Sequence, residues 1–553
     1  MARKAAWLSM TGMVVMLFWG CDGGGKTHED ATEEDVVNDD AVEVEAEAEA
    51  DADDDGQVDP VEEDAVGDDV VEEDVEEEEA IELTWGPCDT SNWYPGYPTP
   101  AEGVECTTIE VPLDYENPGA GTITLNVGRQ LARYDMGKAL FNFAGGPGGS
   151  AVGQSGAIPV YMPSRARDDF DLIYVDQRGA GDSGYMYCPG GYPVTQAEWE
   201  ACAALYTDVD LNHYLTLDAA RDIDHVRQVL GYDRIYIRGG SYGTRMGLEY
   251  MRQYPENVVA AVLDGLAPPD LDLIGEALHS FEHGLALLEE DCSADPTCLA
   301  VSPTLEADLV ARREALLADP RPIIVGGHAM VEDEETYRMF LDAFLYTASW
   351  RYRIPRAIHQ AVGGDNTLWN GLMSEAYGTT VTDGARLAGP GDTPPSCRQA
   401  APLRRSWWSR DYVAPGLLAT VFCAEFMPNS PGIDAMIAEE ATLTWASPGY
   451  LDMAKACAAW DVEPLDAALR QAVESDIPTL LMSGEIDLKT WAEWGDHTAE
   501  TLSDGHHYVV PYATHSTISV ACAAQIITDF LLQDGNIDAV GTTCLGTLRP
   551  PAW

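Results

Sequence analysis

Gly239-Gly240-Ser241-Tyr242-Gly243 directly follows a strand-like run, Arg234 to Ile237, and leads into a helical stretch, Thr244 to Tyr254. Small residues on both sides of Ser241 allow a strand to reverse sharply into a helix, which lifts the serine above the end of a sheet. The helix N-terminus beside it also favours developing negative charge. A serine presented in this way requires a strand–turn–helix unit in a parallel sheet. The rest of the chain has the matching rhythm. Short apolar runs at Ala139 to Ala144, Leu172 to Val175, Ile235 to Ile237, Val258 to Leu263, Ile477 to Met482 and Tyr508 to Val510 alternate with helical stretches. That is the pattern of a mostly parallel sheet covered on both faces, an α/β fold. Thr122 to Val127 alternates polar and apolar residues after the turn Glu116-Asn117-Pro118-Gly119, which predicts an antiparallel hairpin with the segment around Val111. In such sheets the ligand site lies beyond the C-terminal ends of the strands.

Between about Pro268 and Trp460 the strand rhythm stops and a helical period takes over, with tryptophans at 350, 369, 407, 408, 445 and 460. Sheet-type runs resume afterwards. The segment therefore reads as a helical lid inserted between two strands of the sheet.

A serine hydroxyl is a weak nucleophile without a base and a donor pair for the oxyanion. Gly145-Gly146-Pro147-Gly148-Gly149 follows the run Ala139 to Ala144, and its glycines let backbone N–H groups approach a substrate closely. The expected donors are the N–H groups of Gly146 and of Tyr242, the residue after the nucleophile. The loop lacks the Lys-Ser/Thr ending of a phosphate loop. Four histidines lie near the C-terminus. His506 and His507 open a strand and so sit at its far end, whereas His515 lies in the loop after it, where the base is needed. Asp487, in the loop after Ile477 to Met482, is the expected orienting acid. Asp264 and Glu485 compete for that role.

Eleven cysteines follow Cys21, and spacing pairs Cys88 with Cys106, Cys188 with Cys202, Cys292 with Cys298, and Cys522 with Cys544. Cys397, Cys423 and Cys457 are left, one too many. No Cys pairs stand at zinc spacing and no HExxH occurs, so neither a metal nor any other cofactor is expected.

The first twenty residues read as a secretory signal, with Arg3 and Lys4 before an apolar run too short to span a membrane comfortably. Gly20-Cys21 resembles a bacterial lipoprotein cleavage site, which makes Cys21 the candidate lipidated residue and a lipid anchor the expected membrane contact. The chain carries 31 Lys+Arg against 94 Asp+Glu, a net charge of -63, and 29 of those acids lie between Glu29 and Glu82 with no basic residue among them. Such a charge excludes nucleic acid as a partner. A stretch this acidic and poor in apolar residues is expected to be a disordered tether reaching roughly 40 Å. Within it Asp51, Asp53, Asp55, Gly56, Asp59 and Glu62 match calcium-loop spacing, but the acid density, Pro60 and the lack of flanking apolar helices favour loose cation condensation. The expected organisation is a signal at 1–20, a tether at 21–83, a first core part at 84–267, the lid at 268–460 and a second core part at 461–553. Oligomeric state is not legible.

Taken together, GGPGG (145–149), DQRGAGDSG (176–184), GGSYGT (239–244), YPENVVAAVLDG (254–265) and SGEIDLKT (483–490) resemble the α/β-hydrolase serine aminopeptidases, in particular the secreted tripeptidyl aminopeptidase branch related to proline iminopeptidases. The resemblance implies a triad of Ser241, Asp487 and His515, an α/β-hydrolase fold, and a lid that selects peptides with a free N-terminus. Ala144 stands where proline iminopeptidases have a histidine, which points to the tripeptidyl branch. Thr490-Trp491-Ala492 and Ala513-Thr514-His515-Ser516 also depart from the family pattern. A substrate ammonium must be paired when buried. Glu425, in a Cys-x-acid element of the resembling family, is the candidate acceptor. Arg178 is expected to support the oxyanion loop from beneath. Esterase activity with the same triad and a non-catalytic surface binding module are the competing readings.

Overall fold

The computed structural model describes residues 83–89, 100–156, 162, 164–193, 195–384, 413–446, 450–551 and 553. The signal, Cys21, the tether with its calcium-like spacing, and Cys397 lie outside the described residues.

Twelve strands are described: β1 (Gly86–Pro87), β2 (Glu105–Pro112), β3 (Thr122–Gln130), β4 (Lys138–Phe143), β5 (Phe170–Val175), β6 (Ile235–Gly240), β7 (Val258–Asp264), β8 (Arg321–Val325), β9 (His328–Glu332), β10 (Val381–Asp383), β11 (Thr479–Gly484) and β12 (Gly505–Val510). Nine form one sheet in the order β1-β2-β3-β5-β4-β6-β7-β11-β12. The expected hairpin is present, with Val111 opposite Ile123. From β5 to β12 all neighbours run parallel.

Alternate residues of the parallel strands β4, β5, β6, β7 and β11 enter different cores. Phe141, Ile173, Ile237 and Leu481 belong to one buried cluster, while Leu140, Leu172, Tyr174, Tyr236, Leu480 and Met482 belong to another on the opposite face. This two-sided burial explains why these strands read as continuous apolar runs. Burying one such large side chain contributes about 1.5–3 kcal/mol.

The chain leaves the sheet after β7 and returns at β11, two strands that are hydrogen-bonded neighbours. The intervening segment has its own cluster, including Phe281, Leu288, Phe340, Phe344 and Trp369, which Leu488 of the core joins. The segment is not wholly helical as expected. A three-stranded antiparallel sheet, β10-β8-β9, lies within it. Its first two strands are the branched run Ile323-Ile324-Val325 and its partner across the turn at Gly326-Gly327 (φ 56° and 86°). These strands are too short to interrupt the surrounding helical period.

All four spacing-based disulfides are present, and Cys423 pairs with Cys457. Five disulfides mark an oxidising, extracytoplasmic compartment. Among the described residues no helix is long and apolar enough to cross a membrane.

Candidate active site

Ser241 sits between β6 and the helix Tyr242–Gln253 with φ 56° and ψ −126°, a backbone conformation that costs on the order of 1–3 kcal/mol and persists only where the surroundings enforce it. The flanking glycines are demanded by contact. A Cβ on Gly239 would lie 2.2 Å from the Gly243 carbonyl oxygen, and one on Gly243 would lie 2.4 Å from that of Phe143. The Ser241 N–H donates to the Asp264 carbonyl at 2.9 Å, and Thr244 N–H donates to the Ser241 carbonyl at 2.8 Å. Tyr242 opens the helix, so its N–H has no partner in the preceding turn.

The loop 145–149 passes beside the serine: a Cβ on Gly145 would stand 3.1 Å from Ser241 Cβ. Gly149 N–H closes the loop onto the Gly145 carbonyl at 3.1 Å. Asp176, at the end of β5 and fully buried, braces it. One carboxylate oxygen accepts from Ser150 Oγ at 2.6 Å and from Val152 N–H at 3.1 Å, and the other accepts from Asn126 Nδ2 at 2.9 Å. Burial pushes this carboxyl up to about 6, against the pull of the Ser150 and Asn126 hydrogen bonds. Sequence reasoning gave the bracing role to Arg178, and the structure corrects this. Arg178 lies buried on Asp222 (2.7 and 2.6 Å) and donates to the carbonyls of Pro112, Leu113 and His213. It ties the end of β2 to the helix Thr216–Val229.

Asp487 and His515 meet in the loops after β11 and β12. His515 Nδ1 lies 2.8 Å from Asp487 Oδ2; an ionised carboxylate only accepts, so Nδ1 carries the proton and Nε2 is the free acceptor. Asp487 Oδ1 accepts from the N–H groups of Lys489 and Thr490 at 2.9 and 3.1 Å, and Thr490 Oγ1 donates to Oδ2 at 2.7 Å. Burial lowers the proton affinity of His515, but the charge and hydrogen bond of Asp487 outweigh it, Asp264 adds to them, and Lys489 opposes them. The net direction is up. Lys489 is half-buried, its ammonium 4.3 Å above the Tyr346 ring, and desolvation pulls its proton affinity down.

The two competing acids have other partners. The Asp264 carboxylate accepts from Thr517 N–H and Oγ1, both at 2.9 Å, and from Ile518 N–H at 3.2 Å. Glu485 accepts from Tyr512 N–H at 2.8 Å. His506 and His507 lie near the start of β12, His506 on Asp504 and His507 on Asp496.

Glu425 is brought to the nucleophile helix but not to an open site. It is fully buried in a π-helical turn, Phe422–Phe426. Its carboxylate accepts from Arg245 Nε at 2.8 Å, Thr216 N–H at 2.7 Å and Thr216 Oγ1 at 2.8 Å. Arg245 and Thr216 are thus the partners that the structure gives to the carboxylate expected to accept a substrate ammonium. The same network reaches the residue after the nucleophile, since Thr216 Oγ1 is 2.7 Å from Tyr242 Oη.

Sequence reasoning missed the lid segment that lies on the oxyanion loop. Ala414 N–H donates to the Gly148 carbonyl at 2.9 Å, Val413 bridges Gly149, and Tyr185 Oη donates to the Val413 carbonyl at 3.1 Å. Nothing in the composition around Val413 marks this contact. Asp176 and Thr490, by contrast, stand inside the quoted motifs.

The strand–elbow–helix unit and the sheet order define the α/β-hydrolase fold. Residues 138–286 match the family described as alpha/beta hydrolase fold, and residues 443–544 match that described as TAP-like protein. The chain is 29% identical over 265 residues to serine protease Hip1 of Mycobacterium tuberculosis, covering 43% of this chain and 50% of that one. It is 28% identical over 223 residues to tripeptidyl aminopeptidase of Streptomyces coelicolor, covering 35% and 39%, and 33% identical over 224 residues to carboxylesterase B of M. tuberculosis, covering 35% and 42%. It thus spans half or less of the length of these relatives. A crystal structure of proline iminopeptidase from Mycobacterium smegmatis aligns over 77% of this chain and 98% of that one, with 15% identity and a TM-score of 0.35.

Proposed function

We propose that the protein is a serine hydrolase that removes residues or short peptides from the free N-terminus of peptides through an acyl-enzyme on Ser241. The observation that carries the reading is a strained, motif-held Ser241 whose N–H is tied to Asp264, beside a Gly265 that packs on His515, with His515 Nδ1 fixed by Asp487 so that Nε2 is left as the base. In the reaction Ser241 Oγ attacks the scissile carbonyl while His515 Nε2 takes its proton. Asp487 holds the tautomer and stabilises the imidazolium. The N–H groups of Gly146 and Tyr242 receive the oxyanion, and His515 returns the proton to the leaving amine. Water activated by His515 then releases the acyl group. The preference for peptides rests on the likeness to the serine protease and the tripeptidyl aminopeptidase. The ammonium of such a substrate needs a buried carboxylate, and Glu425 serves as one only by sharing its present hydrogen bonds to Arg245 and Thr216. The lid, 268–460, is the selecting element, and lipid attachment at Cys21 followed by the acidic tether holds the body away from a membrane surface.

Hydrolysis of N-terminally free and blocked dipeptide and tripeptide anilides by the wild type and by Ser241→Ala tests this. The expected result is activity confined to the wild type and to free N-termini. Equal activity of the two proteins overturns the nucleophile, and equal activity on blocked substrates overturns the exopeptidase. Ester hydrolysis with the same triad is the second reading, favoured by the likeness to a carboxylesterase. It predicts short p-nitrophenyl esters turned over far faster than any anilide. Failure of a fluorophosphonate to label Ser241 in folded protein would leave the surface binding module. Cys21→Ala should abolish incorporation of a fatty-acid probe.

A further inference from the structure

Asp264 ends β7, between the strand that carries the nucleophile and the strand that precedes the acid: it pairs with Gly240 on one side and Met482 on the other. Its carbonyl accepts the Ser241 N–H at 2.9 Å. Its carboxylate, 2% exposed, accepts three hydrogen bonds from Thr517 and Ile518, two and three residues after the catalytic histidine. The next residue, Gly265, adopts φ 76°, and a Cβ there would stand 3.3 Å from His515 Cε1. The Asp264–Gly265 backbone therefore packs under the imidazole. Ser516, which follows His515, is held at φ 71°, an unusual region for a non-glycine residue that needs outside support. The hydrogen bonds to Thr517 and Ile518 are that support.

Arg238, on β6 and 6% exposed, lies with Nη2 3.6 Å from Asp264 Oδ2. Its Nε is buried without a hydrogen-bond partner. A guanidinium buried in this way stands as the counter-charge to the Asp264 carboxylate.

We propose that Asp264 is a positioning residue of the reaction, its carbonyl fixing the nucleophile and its carboxylate fixing the turn that carries His515, with Arg238 as its buried counter-ion. The proposal rests on the serine-hydrolase reading above. It assigns to one residue the spacing between nucleophile and base, which the Asp487 contact alone does not set. The Asp264 charge also acts on the imidazole directly. The groups facing His515 are Asp487 and Asp264, which raise its proton affinity, Thr490, and Lys489, which lowers it. Removing the Asp264 charge therefore makes His515 easier to deprotonate.

The test compares wild type, Asp264→Asn and Thr517→Ala by the second-order rate of Ser241 labelling with a fluorophosphonate, and by the pH profile of kcat/KM on whichever substrate the wild type turns over. Asp264→Asn is expected to lower the plateau kcat and the labelling rate by about tenfold or more, to change KM by less than twofold, and to move the acid limb to lower pH. Thr517→Ala keeps the charge and is expected to lower kcat severalfold with the acid limb unmoved. A folded Asp264→Asn protein with a plateau kcat within twofold of wild type, or with an unmoved acid limb, overturns the proposal. If Asp264→Asn does not fold, wild-type kcat in Thr517→Ala assigns the residue to folding alone and overturns it equally. Failure of the peptidase reading would appear instead in the wild-type substrate profile, because labelling reports Ser241 reactivity whatever the substrate.

Discussion

Glu425, in the lid, and Arg245, four residues after the nucleophile on its helix, form an ion pair of 2.8 Å with side chains 0% and 3% exposed. The pair joins the inserted segment to the element that carries the elbow. Because Thr216 Oγ1 contacts both Glu425 and Tyr242 Oη, the inserted segment is connected to the residue after Ser241 through two hydrogen bonds.

Removing one partner of such a pair leaves the other charge buried and uncompensated. Glu425→Ala is therefore expected to destabilise the fold by about 3–5 kcal/mol, seen as a large drop in denaturation midpoint. The ratio of activity on free over blocked N-termini should stay the same in whatever fraction remains folded. A collapse of that ratio at unchanged stability would restore Glu425 as an ammonium acceptor.

Under the proposed mechanism the acid limb of kcat/KM follows His515, which must be neutral to act as the base. Its proton affinity is raised in the fold, so activity should fall away below a pH above the ordinary histidine value of about 6.5. Asp487→Asn removes the largest raising influence and disturbs the tautomer. It should lower kcat by about 10⁴-fold near neutral pH, as measured by steady-state rates against wild type.

Asp176 titrates in a different window. The group holds its proton more tightly folded, at about 6, than unfolded, near 3.8. The folded state is therefore favoured below pH 3.8, and that advantage is lost as pH rises to about 6. Asp176→Asn cannot titrate and should flatten this part of the stability profile in denaturant titrations at several pH values. It should also loosen the loop at Ser150 and Val152, lowering kcat by about tenfold or more. An unchanged kcat would show that Asp176 does not brace the donors.

The Cys423–Cys457 disulfide closes a segment of 34 residues that contains Glu425. Replacing both cysteines by serine should cost about 2–4 kcal/mol. Midpoints measured with and without reductant should then differ less in the variant than in the wild type.

The sheet was legible because β4 to β7 and β11 are buried on both faces, so each announces itself as an apolar run regardless of its neighbours, whereas the edge strand β12, with Val509 exposed, shows only the short run Tyr508 to Val510. Ser241 and the glycines around it were legible for a related reason: the turn admits few residue types. Cys88 with Cys106 and the other short-range pairs followed from proximity in the chain, whereas Cys423 and Cys457 are 34 residues apart and spacing alone did not single them out from Cys397. Glu425 shows where local reading stops. Its carboxylate meets Thr216 and Arg245, respectively 209 and 180 residues away in sequence, and no spacing encodes that. Asp264 carried a correct signal of position, at the end of a strand beside the site, but which loop it would hold depended on the register of β7 against β11.

The bridge from Val413 and Ala414 to Gly149 and Gly148 makes the inserted segment and the glycine loop beside Ser241 mechanically one piece. Under the proposed mechanism, a substrate that pushes the inserted segment aside would forfeit rate even while it stays bound. Discrimination among substrates should therefore be written mainly in turnover, with ill-fitting peptides behaving as slow substrates that compete well.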